Sequence, residues 1–180
     1  SFRKLKFKTL DLVLVLNEEQ KNILIDNKLI KNKNIKKNYL GINKIKSIKM
    51  SKLNKTRLIF ASCGRLIHAK NTIEILKFIK IFAKNNEHLN IDYFCIGDGY
   101  QKEKILNFAS NEFPKNIKFK FINYVPSLVK FLKDKKINYF LNFSFSEGMS
   151  FAIMEALSCS LPIICSDIPA NNEIINKRNG

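Results

Sequence analysis

Residues 138–165 read NYFLNFSFSEGMSFAIMEALSCSLPIIC, and the interpretation of this stretch decides the fold. Asn138–Phe143 is a short apolar and aromatic run suited to a buried strand. Ser144-Phe145-Ser146-Glu147-Gly148 breaks it with small and polar residues, and Phe151–Ser158 then resumes as a helix. Pro162–Cys165 is a second apolar strand. Strand, helix and strand in that order predict a right-handed crossover between parallel strands. From Met149 to Ser166 the only charged side chain is Glu155, set among Ile153, Met154, Ala156 and Leu157. A carboxylate on so apolar a segment is costly to bury without partners, so it either reaches water or binds something. Taken alone, an exposed helix glutamate fits as well.

The same alternation runs upstream. Arg57–Cys63, Asn90–Ile96 and Ile117–Ile122 read as strands, and Asn71–Asn85, Tyr100–Ser110 and Pro126–Lys133 as helices. The expected fold is α/β, a doubly wound parallel sheet of Rossmann-like type. In the first of these helices Ile73, Leu76, Ile79 and Phe82 form an apolar stripe, with Lys77, Lys80 and Lys84 outside it and Asn71 placed to cap it. That stripe is core. Ligands of open α/β sheets bind beyond the carboxyl ends of the strands, which directs attention to residues 64–70, 97–100, 123–126, 144–151 and 166–172. Ahead of this region, Leu10–Leu16 is a strand candidate and a short helix runs from Glu18 to about Ile25. Residues 26–56 are rich in Lys and Asn and read as a connector.

The 180 residues suffice for one well-buried domain, and the chain, which begins at Ser1, is expected to be part of a longer protein. No run approaches the roughly 18 to 20 uncharged apolar residues of a membrane span. Cys63, Cys95, Cys159 and Cys165 form no C-x-x-C pair, and His68 and His88 lie far apart, so no metal-ligand pattern is present. Reduced thiols on buried strands are expected. The net charge of +17 is front-loaded: residues 1–57 carry 16 Lys+Arg against 4 Asp+Glu, and residues 58–180 carry 16 against 11. Lys, Asn and Ile make up 75 of the 180 residues, so much of the lysine reads as compositional drift on solvated faces. A basic front segment also suits an anionic membrane or a phosphate-bearing acceptor. With only four arginines and no basic-aromatic stacking platform, nucleic acid is not expected as a partner.

Gly64-Arg65-Leu66-Ile67-His68-Ala69-Lys70 follows the Arg57–Cys63 strand. Two cations five residues apart at a strand's carboxyl end suit a diphosphate, although a basic surface loop would look the same. Gly97-Asp98-Gly99 is by itself a tight turn. The order of the pieces carries the weight. Gly64-Arg65-Leu66 with Lys70, then Gly97-Asp98-Gly99, then Phe121-Ile122-Asn123-Tyr124-Val125, then Glu147-Gly148 with Glu155-Ala156, then Pro162-Ile163-Ile164, resembles the donor-binding domain of GT-B glycosyltransferases, in particular retaining glycosyltransferase family 4. The resemblance spans residues 57–180. Residues 9–25 look like the last strand and helix of the family's acceptor domain, and Gly41-Ile42-Asn43 falls at its interdomain loop. Residues 1–56 would then be acceptor-domain remnant and connector, and 57–180 a donor-binding domain truncated at its C-terminus.

The resemblance implies roles position by position. Arg65 and Lys70 would hold the donor diphosphate, together with backbone N–H groups of Met149, Ser150 and Phe151 at a helix start. Glu155 would bind the ribose hydroxyls, and Glu147, the catalytic candidate, would contact hydroxyls of the transferred sugar. Tyr124 and Val125 would line the base pocket, with Gly64 and Gly148 completing the donor site. No metal and no cofactor are expected, the nucleotide diphosphate sugar being a substrate. The implied function is transfer of a hexose, with retention, to a glycan or lipid-linked acceptor in bacterial cell-envelope polysaccharide synthesis. It would take place in the cytoplasm, with peripheral contact at the inner face of the membrane. Alternatives are a non-catalytic nucleotide-sugar-binding module and a basic membrane- or nucleic-acid-binding α/β domain. Pro169-Ala170 departs from the family's glycine pair, which puts backbone donors after the last strand in question, and Ser160-Leu161 departs from its glycine before Pro162, which bears on packing.

Overall fold

The computed structural model describes residues 10–42 and 54–175. Asn43, the end of the interdomain loop, and the most basic parts of the front segment lie outside the described residues. A short parallel pair comes first, β1 (Val13–Val15) and β2 (Ile35–Lys37), with Val13 opposite Ile35 and α1 (Glu18–Asp26) connecting them. The main sheet follows: β3 (Arg57–Cys63), β4 (Asn90–Ile96), β5 (Ile117–Ile122), β6 (Tyr139–Asn142) and β7 (Ile163–Cys165). Its order is β5-β4-β3-β6-β7, and every pairing is parallel. The crossovers are α2 (Thr72–Lys84), α3 (Lys102–Glu112), α4 (Leu128–Asp134) and α5 (Phe151–Ser158), and α6 (Pro169–Ile174) follows β7.

Side-chain alternation along the strands builds two cores. Phe60, Tyr93, Cys95 and Leu141 face α2 and α3 and pack with Ile75, Leu76, Ile79, Ala83 and Ile105. Ala61, Phe94, Ile96 and Phe140 face α4 and α5 and pack with Leu128, Leu132 and Ala156. Strands buried on both faces must be apolar almost throughout, which is why β4 and β6 are apolar apart from Asp92 and an asparagine at one end of each. No helix among the described residues is long and apolar enough to cross a membrane.

The expected elements form, with differences that have physical causes. The buried stripe of α2 is Ile75, Leu76, Ile79 and Ala83, with Ile73 and Phe82 at its margins. Asn71 stands before this helix in the left-handed region, at φ 51°, and its side chain makes no cap hydrogen bond. Ser127 does cap α4, accepting from the Lys130 N–H, so that helix starts later than Pro126. The connector contains β2, three residues whose only apolar member is Ile35; so short a strand has no periodicity to detect. Helix α6 was equally silent, being six residues that begin at Pro169, a residue suited to a helix's first position. Cys63, Cys95 and Cys165 lie on strands, whereas Cys159 sits at the end of α5; all four thiols are free.

One buried charge is built into the sheet. Asp92 of β4 is 4% exposed and is held by Arg57 Nη2 at 2.5 Å and Lys120 Nζ at 3.0 Å from β3 and β5. Burial pushes its carboxyl up, but the bonds to Arg57 and Lys120 outweigh that and leave it below the usual carboxylate value. A lowered folded-state value contributes stability above the unfolded value and loses it as pH falls through the folded one. Asp92→Asn should therefore cost about 1.5–3 kcal/mol near neutral pH, the scale of bonds to a charged group. Denaturant melts should show that difference closing as pH falls below about 4; a difference that persists there would contradict the ionic account.

Candidate functional site

The strand order reverses between β3 and β6, and the crevice beyond their carboxyl ends is where an open α/β sheet takes its ligand. Two glycines bring the loops there together. Gly97 and Gly99 adopt φ of 142° and 153°, and a Cβ on either would run into the Gly64 or Leu66 carbonyl. In that close approach the Gly64 N–H donates to Ile96 O at 3.0 Å and the Leu66 N–H to Asp98 O at 2.8 Å. The Gly97-Asp98-Gly99 turn thus holds the Gly64–Lys70 loop in place. Such an approach requires glycine and no other residue.

Beside these loops lies an open cleft of about 500 Å³, lined among others by Gly64, Arg65, Asn123, Tyr124, Val125 and Glu155. Arg65 is exposed, and its guanidinium has no ion-pair or hydrogen-bond partner among the described residues. Glu155 is half-buried on α5, and its carboxylate likewise has no partner among them. Burial pushes the Glu155 carboxyl above the usual glutamate value. Cys63 feels the opposite charges of Glu155 and Lys70: burial, then the negative charge of Glu155, push its thiol up to about 11, with Lys70 opposing. It is a neutral thiol at pH 7. Tyr124 is 75% exposed at the cleft rim.

Glu147 and Lys70 meet at the adjoining end. Lys70 Nζ donates to both carboxylate oxygens of Glu147, at 2.5 and 2.7 Å. Ser144 Oγ donates to Glu147 Oε1 at 2.7 Å, and Asn142 Nδ2 approaches the same oxygen at 3.5 Å. The Glu147 side chain is 8% exposed, so this carboxylate is held rigidly and largely out of water. Ser150, buried, caps α5 by accepting from the Ile153 N–H at 3.4 Å. The N–H groups of Met149, Ser150 and Phe151 carry no hydrogen bond among the described residues, leaving donors at the start of α5.

Arg65, Tyr124, Val125 and Glu155 thus share one cleft, and Lys70 and Glu147 form a pair beside it. Gly148 does not line the cleft; a Cβ there would press on Gln20 Nε2 at 3.1 Å and Leu16 Cδ1 at 3.3 Å. Pro169, the first residue of α6, has no N–H to offer a ligand. Sequence reasoning missed Asn142 and Ser144, which appear only as polar residues interrupting a strand end. Their signal was the small polar pair placed at that end. Asn17, whose amide reaches the Glu147 and Gly148 carbonyls, carried no signal. Among the described residues no three His, Cys, Asp or Glu side chains cluster as a metal site.

With this geometry in place, three comparisons bear on identity. An uncharacterized glycosyltransferase of Methanocaldococcus jannaschii is 27% identical over 176 residues, covering 89% of this chain and 41% of that protein. The UDP-Gal:alpha-D-GlcNAc-diphosphoundecaprenol alpha-1,3-galactosyltransferase of Escherichia coli is 27% identical over 130 residues, 68% of this chain and 31% of that one. The pneumococcal O-GlcNAc transferase GtfA, in complex with UDP and GlcNAc, superposes with a TM-score of 0.71 at 20% identity, covering 100% of this chain and 35% of that one. This chain therefore spans less than half the length of each. The structural likeness establishes the fold, a Rossmann-like domain of the GT-B type. A family model described as glycosyl transferases group 1 matches residues 43–180, and the chain belongs to that family.

Proposed function

We propose that residues 57–180 are the donor-binding part of a metal-independent, retaining hexosyltransferase, and that residues 1–56 are the end of its acceptor domain with the connector. The observation that carries this reading is a pair of unsatisfied opposite charges across one cleft, Arg65 and Glu155. A nucleotide diphosphate sugar has one group for each. Its diphosphate calls for a forked cation and its ribose for a hydrogen-bond acceptor, because a carboxylate takes two hydroxyl donors. UDP is the first nucleotide to test, since the pneumococcal neighbour was crystallised with it. A lipid-linked glycan is the acceptor suggested by the name of the Escherichia coli relative.

In this mechanism the bond from the sugar to the diphosphate breaks, and the acceptor hydroxyl attacks on the same face within an ion-pair-like transition state, its proton passing to the departing diphosphate oxygen. Charge develops on the departing diphosphate. Arg65, the third N–H of Lys70 and the N–H groups of Met149, Ser150 and Phe151 are the donors available to it. Cations of the chain do the neutralising. Glu147, already bonded to Lys70 and Ser144, acts by holding sugar hydroxyls and not as a nucleophile. Peripheral contact with an anionic membrane at the inner face belongs to the same proposal. Lys28, Lys31 and Lys33 border a cleft of about 740 Å³ that also includes Leu10 and Leu29.

Calorimetry with UDP and no added metal tests the cleft. Arg65→Ala should lose about 1.5–3 kcal/mol of binding, the scale of a charge-assisted contact; unchanged affinity removes Arg65 from the site.

The two glutamates should separate. Glu155→Gln should weaken UDP and UDP-sugar alike, while Glu147→Gln should hold or raise UDP affinity, because it releases Lys70. Since burial raises the Glu155 carboxyl, it protonates at a higher pH than an ordinary glutamate and then loses acceptor capacity. UDP affinity of the parent should fall as pH drops toward the carboxylate range, and that fall should be smaller in Glu155→Gln, where only the UDP phosphate, with its second pKa of about 6, still titrates. Loss of UDP binding in Glu147→Gln alone would reverse the two assignments.

Membrane contact predicts salt-sensitive sedimentation with vesicles containing anionic lipid. The triple change Lys28→Glu, Lys31→Glu, Lys33→Glu should weaken it about tenfold or more at low salt, given roughly 1 kcal/mol per lysine. Equal sedimentation of parent and variant would remove this face from the proposal.

A further inference from the structure

Asn17 stands outside the main sheet, yet it is 1% exposed and both ends of its side chain are engaged. Its Oδ1 accepts from the Gln20 N–H at 2.7 Å and so caps α1. Its Nδ2 donates to the Gly148 carbonyl at 2.6 Å and approaches the Glu147 carbonyl at 3.3 Å, some 130 residues along the chain. Gln20 completes the contact. Its Oε1 accepts from the Leu16 N–H at 2.9 Å, while its Nε2 and the Leu16 side chain lie so close to Gly148 that a Cβ would crowd them. The same leading segment is tied down again at α6: Glu173 accepts from the Glu18 N–H at 2.6 Å and from Tyr39 Oη at 2.9 Å, and pairs with Lys37.

We propose that Asn17 is a positioning residue for Glu147, setting the backbone from which that carboxylate reaches the transferred sugar; this rests on the donor-site reading above. Lys70, Ser144 and Asn142 aim the Glu147 side chain, but all three act on its carboxylate. The Glu147-Gly148 backbone belongs to neither β6 nor α5, and Asn17 is the side chain that bonds its carbonyls. A buried amide that satisfies two loop carbonyls fixes their direction, because leaving them unpaired costs free energy. The segment preceding the main sheet thereby shares a mechanical element with the sugar end of the site. A shift of that segment relative to the main sheet would move Glu147 directly. The glycine of the Glu147-Gly148 pair is explained as well: it is the residue against which α1 packs.

Two variants isolate the amide. Asn17→Asp and Asn17→Ser both keep a good helix cap, since Asp and Ser rank with Asn at that position, but both remove the Nδ2 donor. Hydrogen exchange on the full chain provides a readout that does not depend on activity. The loop amides that carry hydrogen bonds, Ser144 to Asn142 Oδ1 and Phe145 to Ala69 O, should exchange faster in both variants while those of α1 stay as in the parent. Unchanged exchange at Ser144 and Phe145, or equal acceleration throughout α1 and the sheet, overturns the proposal. Calorimetry supplies the functional readout. UDP affinity should fall modestly, since the Gly148 carbonyl shares a planar peptide with the Met149 N–H, and the ratio of UDP-sugar to UDP affinity should fall further, about tenfold to a hundredfold, the scale of a misplaced site group. The same ratio should fall no further when either change is added to Glu147→Gln, because Asn17 acts through Glu147. Additive losses in that double variant overturn the proposal. A parent that binds neither UDP nor any UDP-sugar sinks the donor-site reading instead, and hydrogen exchange still decides whether Asn17 sets the Glu147 backbone.

Discussion

The placement of β3 beside β6 is the constraint on which the rest of the structure depends. Helices α2 and α3 run between β3 and β5 on one face, and α4 and α5 then cover the other. Right-handed crossovers require this reversal once the chain returns to pair with its own first strand. The reversal leaves the carboxyl ends of β3 and β6 uncovered by any connection, so their loops diverge and a crevice opens. The groups discussed at the site stand on strand ends, on the loops that follow them and on α5, around this crevice.

Electrostatics then divides the crevice into two ends of unlike character. At one, Lys70 and Glu147 neutralise each other, with Ser144 and Asn142 completing the shell of a nearly buried carboxylate. A buried pair of this kind adds little net stability, because desolvation offsets the attraction. What it does supply is geometry. At the other end Arg65 and Glu155 have no partner among the described residues, and burial pushes the Glu155 carboxyl up. An uncompensated charge is a cost to the folded chain that a ligand can remove. Asp92 offers the contrast within the same sheet, since its burial is answered by Arg57 and Lys120 and its carboxyl ends below the ordinary value.

The fold was legible because its signals are local. β3, β4 and β5 begin and end where their apolar runs do, and α5 occupies the span that its composition indicates. Elements without a period were invisible: β2 has one apolar residue, and α6 is six residues beginning at a proline. The αL conformation of Asn71 was also hidden, since asparagine suits a cap and a left-handed position equally well.

The sequence by itself determined which charged residues fall near the carboxyl ends of the strands, because motif spacing and strand ends are properties of the chain read in order. It picked out Arg65, Lys70, Glu147 and Glu155, and it separated Glu155 from its apolar neighbours. Tertiary structure alone decided which of these charges are paired. Lys70 and Glu147 are 77 residues apart, and nothing in either segment signals that they touch. The same holds for Asn17, whose partners lie 130 and 131 residues away. Pairing across such separations is set by the packing of whole elements, a cooperative result of burying two apolar faces that no local pattern encodes.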